Sequence, residues 1–120
     1  MSPIRDTIEV KDVDIHKLAR AVIREFSKAV RAELGSALIK LQLGMKLDFP
    51  VSRPMPEVFS GAYELRLRDE SGIQRVFYYT KSERGILIFH AFTKKTNRTP
   101  PDEIELGRKR LKEMLGYEEK

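Results

Sequence analysis

The sequence contains no cysteine, and its 120 residues include only two histidines. Without cysteine the chain can neither build a disulfide framework nor use a thiol as nucleophile. The two histidines, His16 and His90, fall in a helical pattern and a strand pattern, and would have to meet in the fold to act as a pair of imidazoles. These absences leave little room for thiol or paired-imidazole catalysis.

Long apolar runs are also absent, since charges interrupt even the first ten residues, MSPIRDTIEV. We therefore expect a soluble, cytoplasmic protein without a signal peptide or a membrane span. The chain has no glycine-rich loop suited to a phosphate, and Asp12 and Asp14 lack the spacing of a zinc or EF-hand site. The sequence thus predicts no metal site and no cofactor.

Charge is abundant, at 34% of the residues, and 23 Lys+Arg against 18 Asp+Glu give a net charge of +5. A modest positive excess favours encounter with a polyanion. The length predicts one domain over residues 1–120. Basic residues concentrate in the second half: Arg66, Arg68, Arg75, Lys94, Lys95, Arg98, Arg108, Lys109, Arg110 and Lys112. They are interpreted either as a solvated surface or as a surface that binds an anion.

The N-terminal half has the patterns of one strand and two helices. Residues 4–10, IRDTIEV, are β-branched and partly alternating, which favours a strand. From Asp14 to Leu41 apolar residues recur every three or four positions, which predicts amphipathic helices with one apolar stripe. Gly35 followed by Ser36 is typical of a helix end and a new N-cap, so we expect two helices, or else one kinked helix. The stripe would be core or a groove that binds a partner protein.

The second half has the patterns of a sheet followed by a helix. Residues 44–61 contain three prolines, which favour a connection over a central strand. Three strand patterns within residues 63–95, separated by turn-rich segments, predict an antiparallel meander. Thr99, two prolines and an acid then introduce EIELGRKRLKEML, which predicts a C-terminal helix. The predicted fold class is α/β (α+β), with N-terminal helices packed on a small antiparallel sheet.

Cations recur along the predicted strands. In YELRLR, residues 63–68, the two leucines share one face, while Glu64 and both arginines share the other, so we expect one core face and one charged face. Like charges opposite each other are unfavourable unless an anion lies between them. In a meander the following residues could converge: Arg66, Arg75, His90, Lys94 and Lys95. The alternatives are surface ion pairs, a solvated strand end and a buried histidine.

A cationic site without a metal has a limited chemistry. Arginine and lysine can position a phosphodiester and stabilise the charge that builds on its oxygens. A lysine whose pKa is lowered by neighbouring cations can also donate a proton to the leaving oxygen. RNA supplies its own nucleophile, the 2′-hydroxyl, so this chemistry favours RNA as the substrate.

The order ELRLRD…SG…RVFYY…ILIFHAFTKKT…TP…EIELGRKRLKEM, over about residues 60 to 115, resembles the phage-derived and HigB-like branch of the RelE/ParE toxin superfamily. Proteins of that superfamily have a small α/β fold and are encoded with an antitoxin, which in this branch usually carries a helix-turn-helix domain. Many cleave mRNA on the ribosome and leave a 2′,3′-cyclic phosphate. The resemblance therefore implies the toxin of a type II toxin–antitoxin module, a ribosome-dependent mRNA endoribonuclease.

The resemblance also implies catalytic roles. Arg66 would stabilise the transition state, and Arg75 is the arginine of the second strand. Lys95 or Lys94, just after the last strand, would act as general acid. His90 would take an acid or base role if the HigB-like pattern applies.

Three further residues would bind the RNA substrate: Arg68, Arg98 and Tyr79, the tyrosine by stacking unless it belongs to the core. Glu64 stands where RelE has a lysine. Two other functions are consistent with the same resemblance. One is a non-enzymatic, ParE-like inhibitor that binds a protein such as DNA gyrase, and the other is an inactive relative that only binds its antitoxin.

Overall fold

The computed structural model describes residues 10–116, in which helices pack on both faces of one sheet. The helices are α1 (Lys17–Arg24), α2 (Lys28–Gln42) and α3 (Pro101–Leu115). The strands are β1 (Val13–Ile15), β2 (Ser52–Pro54), β3 (Ala62–Asp69), β4 (Gly72–Ser82) and β5 (Gly85–Lys94). The predicted α+β class, with N-terminal helices, sheet and C-terminal helix, is confirmed.

The five strands lie in the order β1-β5-β4-β3-β2. Strands β3, β4 and β5 form the predicted antiparallel meander. β1 pairs in parallel with β5, and β2 pairs antiparallel with β3, so both edges carry three-residue strands that were not predicted. Pro54 ends the edge strand β2. Its missing N–H therefore removes no hydrogen bond between interior strands of the sheet.

The first helix begins later than the apolar pattern predicts. Residues 13–15 form β1 instead of a helical turn, because they pair with residues 86–88 of β5. Helix α1 then starts at Lys17, where Nδ1 of His16 accepts a hydrogen bond from the backbone N–H of Leu18 at 3.1 Å. The strand predicted at residues 4–10 lies outside the described residues except for its last position, which has no regular structure.

The two predicted helices are present, but the break between them lies elsewhere. It falls at residues 25–27, and the hydroxyl of Ser27 caps α2 by accepting from the N–H of Val30 at 3.2 Å. The prediction of a break at Gly35 and Ser36 is wrong, since both lie inside α2. Packing of the buried α2 stripe against the sheet outweighs the modest local cost of one glycine in a helix.

Helix α3 is present as predicted, but Thr99 is not its cap. Pro100 occupies the N-cap position, where no side-chain hydrogen bond is made. The Thr99 hydroxyl instead donates to Oε2 of Glu64 at 2.8 Å. A buried carboxylate makes a strong, charge-assisted hydrogen bond with a hydroxyl, so Thr99 is held at the sheet.

Both faces of the sheet are buried, and each has its own core. Helices α1 and α2 cover one face, where Leu34 packs with Leu65 and Ile88. Helix α3 and the connection before β3 cover the other, where Leu111 packs with Phe77. The charged residues of β3 do share one face, as predicted, but that face also carries a second core beneath α3. Within residues 10–116 no helix is long and apolar enough to cross a membrane.

Candidate functional site

Charged side chains lie on the α3 face of the sheet in three cross-strand rows. The first row is Arg53, Glu64, Phe77 and His90; the second is Arg66, Arg75 and Phe92; the third is Arg68, Ile73 and Lys94. Burial falls toward the third row, because Arg75 is fully buried, the Arg66 side chain is 14% exposed, and Arg68 and Lys94 are exposed. The third row therefore forms the open end of the sheet.

Glu64 is fully buried and joins the first two rows. Its Oε1 lies 2.7 Å from Nε of Arg66 and 3.4 Å from Nε of Arg53. Its Oε2 accepts the hydrogen bond from Thr99 and lies 3.8 Å from Nη1 of Arg75. We call these five residues the Glu64 cluster. The chain thus supplies its own anion at the point where two arginines face each other across neighbouring strands.

The Glu64 cluster has more positive than negative charge, since three guanidiniums share one carboxylate. Burial lowers the pKa of Arg75, Glu64 opposes this shift, and the neighbouring arginines add to it. The guanidinium nevertheless stays protonated near neutral pH. Within the described residues, the Nε atoms of Arg53 and Arg75 have no hydrogen-bond acceptor. The cluster therefore retains positive charge and donors that its own carboxylate does not satisfy.

Two arginines of the cluster hold the segment that follows β5. Nη2 of Arg66 donates to the carbonyl of Asn97 at 2.7 Å. Arg75 donates to the carbonyl of Arg98 at 2.9 Å and to that of Thr96. Three successive carbonyls are thus bound from two neighbouring strands. These hydrogen bonds hold residues 96–98 across the α3 face. They thereby also position the exposed cations Lys95 and Arg98.

Four exposed cations lie near the open end of the sheet or along the segment that follows β5. Arg68, Lys94 and Lys95 are at the open end itself, whereas Arg98 lines a groove on the α3 face with Arg53 and Glu57. We call the four exposed cations the tip cations. Within residues 10–116 their side chains take part in no hydrogen bond or ion pair. Arg68 and Lys94 are separated by Ile73 of β4, which places their backbones about 10 Å apart, two strand spacings. One strand of a polyanion can therefore contact several of them together.

His90 lies beneath α3 and apart from the tip cations. Its Nε2 is 2.7 Å from Oε1 of Glu103, and its Nδ1 is 2.8 Å from Nη1 of Arg110. Because arginine only donates, Nδ1 accepts and Nε2 carries the hydrogen, so the ring is neutral. Burial lowers the pKa of His90, Glu103 opposes the shift, and Arg110 adds to it.

Within residues 10–116 no group of three acids or histidines could hold a metal ion.

The structure brings together only part of the predicted site. Arg66 and Arg75 are direct neighbours, and both lysines lie near Arg68 at the open end. His90 does not join these cations, because α3 covers the ring and engages both of its nitrogens.

Tyr79 lies six residues along β4 from Ile73, about 20 Å from the open end. It is half-buried, and its ring meets the Phe59 ring edge-on at 5.8 Å between centroids.

Several members of the site could not be found by sequence reasoning. Arg53 lies in the proline-rich connection, and its pairing with Glu64 depends on the register of the unpredicted strand β2. Glu103 and Arg110 reach His90 only because α3 crosses β5. The one available signal was an acid at position 64 in an otherwise basic strand pattern.

Residues 21–112 match the model of a family described as phage-derived protein Gp49-like (DUF891). The chain belongs to this family. The matched part of this Gp49-like chain includes strands β2 to β5, and with them both the Glu64 cluster and the tip cations. The predicted membership of a phage-derived family is thereby confirmed, and the HigB-like branch stays a prediction.

Solved structures similar to the Gp49-like chain include the E. coli toxin RelE, determined as a doubly substituted mutant in the free state. That similarity has a TM-score of 0.57 at 19% identity and covers 88% of this chain and 99% of RelE, which establishes a RelE-like fold. The toxin–antitoxin complex RelBE2 from Mycobacterium tuberculosis is also similar, with a TM-score of 0.44, 15% identity and coverage of 75% of this chain and 97% of that chain. No curated protein matches the sequence significantly.

Proposed function

We propose that this Gp49-like protein is the toxin of a type II toxin–antitoxin module and cleaves mRNA on the ribosome. The observation that carries the proposal is the set of tip cations, which are exposed at and beside the open end of a RelE-like sheet and have no partner among residues 10–116. Free lysines and arginines grouped on one surface are the usual means by which proteins bind phosphate backbones. The excess positive charge of the Glu64 cluster lies directly beneath that surface and adds to its potential.

In this proposal the tip cations contact the RNA. Arg68 and Arg98 bind the phosphate backbone, while Arg66, at the border of the Glu64 cluster, stabilises charge on the non-bridging oxygens. The 2′-hydroxyl gives its proton to water and attacks the adjacent phosphorus, the bond from phosphorus to the 5′-oxygen breaks, and Lys94 or Lys95 protonates that departing oxygen. The expected product ends in a 2′,3′-cyclic phosphate.

Arg75 and His90 take positioning roles in the same proposal. Arg75 is fully buried, and its donors hold the backbone that carries Arg98. His90 joins β5 to α3 through Glu103 and Arg110. Tyr79 would contact a distant part of the RNA, because its ring lies far from the tip cations.

The proposed partners are the ribosome and an antitoxin with a helix-turn-helix domain, as the sequence resemblance implies. The tip cations lie on an exposed surface, which does not enclose an RNA strand. A ribosome that holds the message in line would therefore contribute much of the rate, since positioning is worth several kcal/mol in such reactions. We expect slow cleavage of naked RNA.

Induction of the protein in a bacterial host, followed by mapping of transcript 5′ ends, tests the proposal. The wild type should arrest growth and create new 5′ ends within translated regions. A Lys94→Gln/Lys95→Gln variant should fold normally and lower the single-turnover cleavage rate on programmed ribosomes about 100-fold or more. A Lys109→Gln/Lys112→Gln variant removes the same charge from the exposed face of α3 and should cleave like the wild type.

Two results would contradict the ribonuclease. Growth arrest with intact transcripts and accumulating DNA breaks would indicate a gyrase-binding inhibitor. Normal growth, together with binding of the antitoxin, would indicate an inactive relative.

A further inference from the structure

Phe49 is the most exposed large apolar side chain within residues 10–116, at 74%. It lies between α2 and β2 and belongs to neither hydrophobic core. Single exposed apolar residues are common on protein surfaces and carry no meaning by themselves. The surroundings of this ring are what distinguish it.

Phe49 lines an open groove of about 350 Å³ together with three arginines: Arg53, Arg66 and Arg68. The other lining residues are Glu33, Pro50, Val51 and Leu67. The groove begins at a tip cation and follows the β3 edge toward the Glu64 cluster, since Arg66 and Arg68 are alternate residues of β3 about 7 Å apart. An exposed aromatic ring thus lies beside a line of cations, with one acid on the rim.

Such a combination suits single-stranded nucleic acid. Proteins that bind a single strand combine a cationic groove along the backbone with aromatic rings on which bases stack. We propose that the groove binds one nucleotide of single-stranded RNA, with its base stacked on Phe49 and its phosphate on Arg68 and Arg66. This base-binding subsite rests on the proposed function and extends the RNA path from the tip cations along β3.

The groove fits a nucleotide better than an apolar peptide. Arg68 has no partner within the described residues, so an apolar occupant would leave its charge desolvated and unpaired. A phosphate accepts the planar guanidinium in a bidentate way, and the Phe49 face is open to a base. Because every base has a stacking face, the subsite should bind all four with modest preference.

Binding of a short single-stranded RNA that contains 2-aminopurine tests the subsite, because stacking quenches the fluorescence of this base. The wild type should quench it. Phe49→Ala should lose the quenching and weaken binding about 5- to 150-fold, the equivalent of one stacked base. Phe49→Trp should retain both properties, whereas Phe49→Leu should behave like Phe49→Ala because leucine has no π-face.

Ile39→Ala is the matched control. Ile39 is also an exposed apolar residue, at 58%, but lies on α2 and does not line the groove. This variant should bind and quench like the wild type. All variants should unfold at the wild-type temperature, since neither residue belongs to a core.

Salt dependence separates stacking from charge. Phe49→Ala should leave the slope of log K against log salt unchanged. Arg68→Gln should reduce the slope by about 0.7, the value for one phosphate contact to a single strand.

The subsite is overturned if the wild type fails to bind the oligonucleotide, or if Phe49→Ala binds and quenches like the wild type. It is also overturned if Phe49→Ala only dissociates a dimer of the chain, which would make the ring a contact between copies. Phe49-dependent quenching without cleavage of ribosome-bound mRNA would contradict the proposed function and leave the subsite standing. Cleavage with Phe49-independent binding would contradict the subsite alone.

Discussion

At the scale of single residues, Glu64 decides whether the arginines of the sheet can be buried. Arg66 and Arg75 face each other across β3 and β4, and Arg53 approaches from β2. Like charges at such positions repel, and burial strengthens the repulsion. The Glu64 carboxylate lies within 4 Å of all three guanidiniums and offsets this cost.

Glu64→Gln should therefore destabilise the protein strongly. The amide keeps the shape of the side chain but leaves the buried guanidiniums without an anion. We expect the free energy of unfolding, measured by urea denaturation, to fall by about 3–5 kcal/mol. Glu33→Gln, at an exposed acid of α2, is the matched control and should change it by less than about 0.5 kcal/mol. A loss below about 1 kcal/mol for Glu64→Gln would show that the cluster tolerates its charge without the carboxylate.

His90 should make stability depend on pH. Its pKa in the folded protein is lowered by burial, so the unfolded chain, with an ordinary histidine pKa of about 6.5, binds the proton more readily. The contribution of neutral His90 is therefore fully present above about pH 6.5 and is lost as the pH falls below it, by up to about 1.4 kcal/mol per pH unit.

Urea denaturation of the wild type and of His90→Gln between pH 8 and pH 5 tests this expectation. Glutamine can still donate to Glu103 and accept from Arg110, but it does not titrate. The variant should lose less stability than the wild type as the pH falls. Equal losses would mean that His90 does not resist protonation in the folded protein.

At the scale of secondary-structure elements, α3 lies against the sheet at Gly107. A Cβ added at this glycine would be 2.7 Å from Cδ2 of Phe77, whose ring is held among Phe89, His90 and Phe92. Because Gly107 has no side chain, α3 can approach β4 and β5 closely. The same approach brings the partners of His90 into reach and covers one end of the α3 face.

Gly107→Ala should consequently destabilise the protein by about 1–3 kcal/mol through overpacking, although alanine is the better helix former. Gly35→Ala is the matched control inside α2, where an added Cβ meets nothing within 4 Å. That variant should be more stable than the wild type by about 0.5–1 kcal/mol. Thermal or urea unfolding of the pair measures both effects, and equal changes of one sign would contradict the close approach of α3 to Phe77.

At the scale of the whole molecule, the sheet is covered on both faces and open at one end. Two separate cores exclude water from the faces, and Arg68, Lys94 and Lys95 lie exposed beyond them at the end of β3 and β5. The segment 96–98 links the two regions, because the buried arginines hold its backbone while neighbouring residues carry the tip cations. The proposed RNA-binding surface therefore depends on a buried network for its shape.

The meander and the C-terminal helix follow from the sequence alone, and the meander allowed Arg66 and Arg75 to converge. Each follows from short-range information: alternation along a strand, turn residues between strands, and prolines before a helix. The helix break at residues 25–27 was not predictable in this way, because the packing of α2 against the sheet overrode the local signal at Gly35.

Only the tertiary structure decided which cations are buried and which face solvent. Arg53, Glu64 and Thr99 come from β2, β3 and the segment before α3, respectively, and their meeting depends on strand register and on where α3 crosses the sheet. Periodicity places a side chain on a face, but it does not state what covers that face. Arg75 and Arg68 face the same side of the sheet, yet Arg75 is fully buried and Arg68 is exposed. The long-range packing of α3 and residues 96–99 makes the difference.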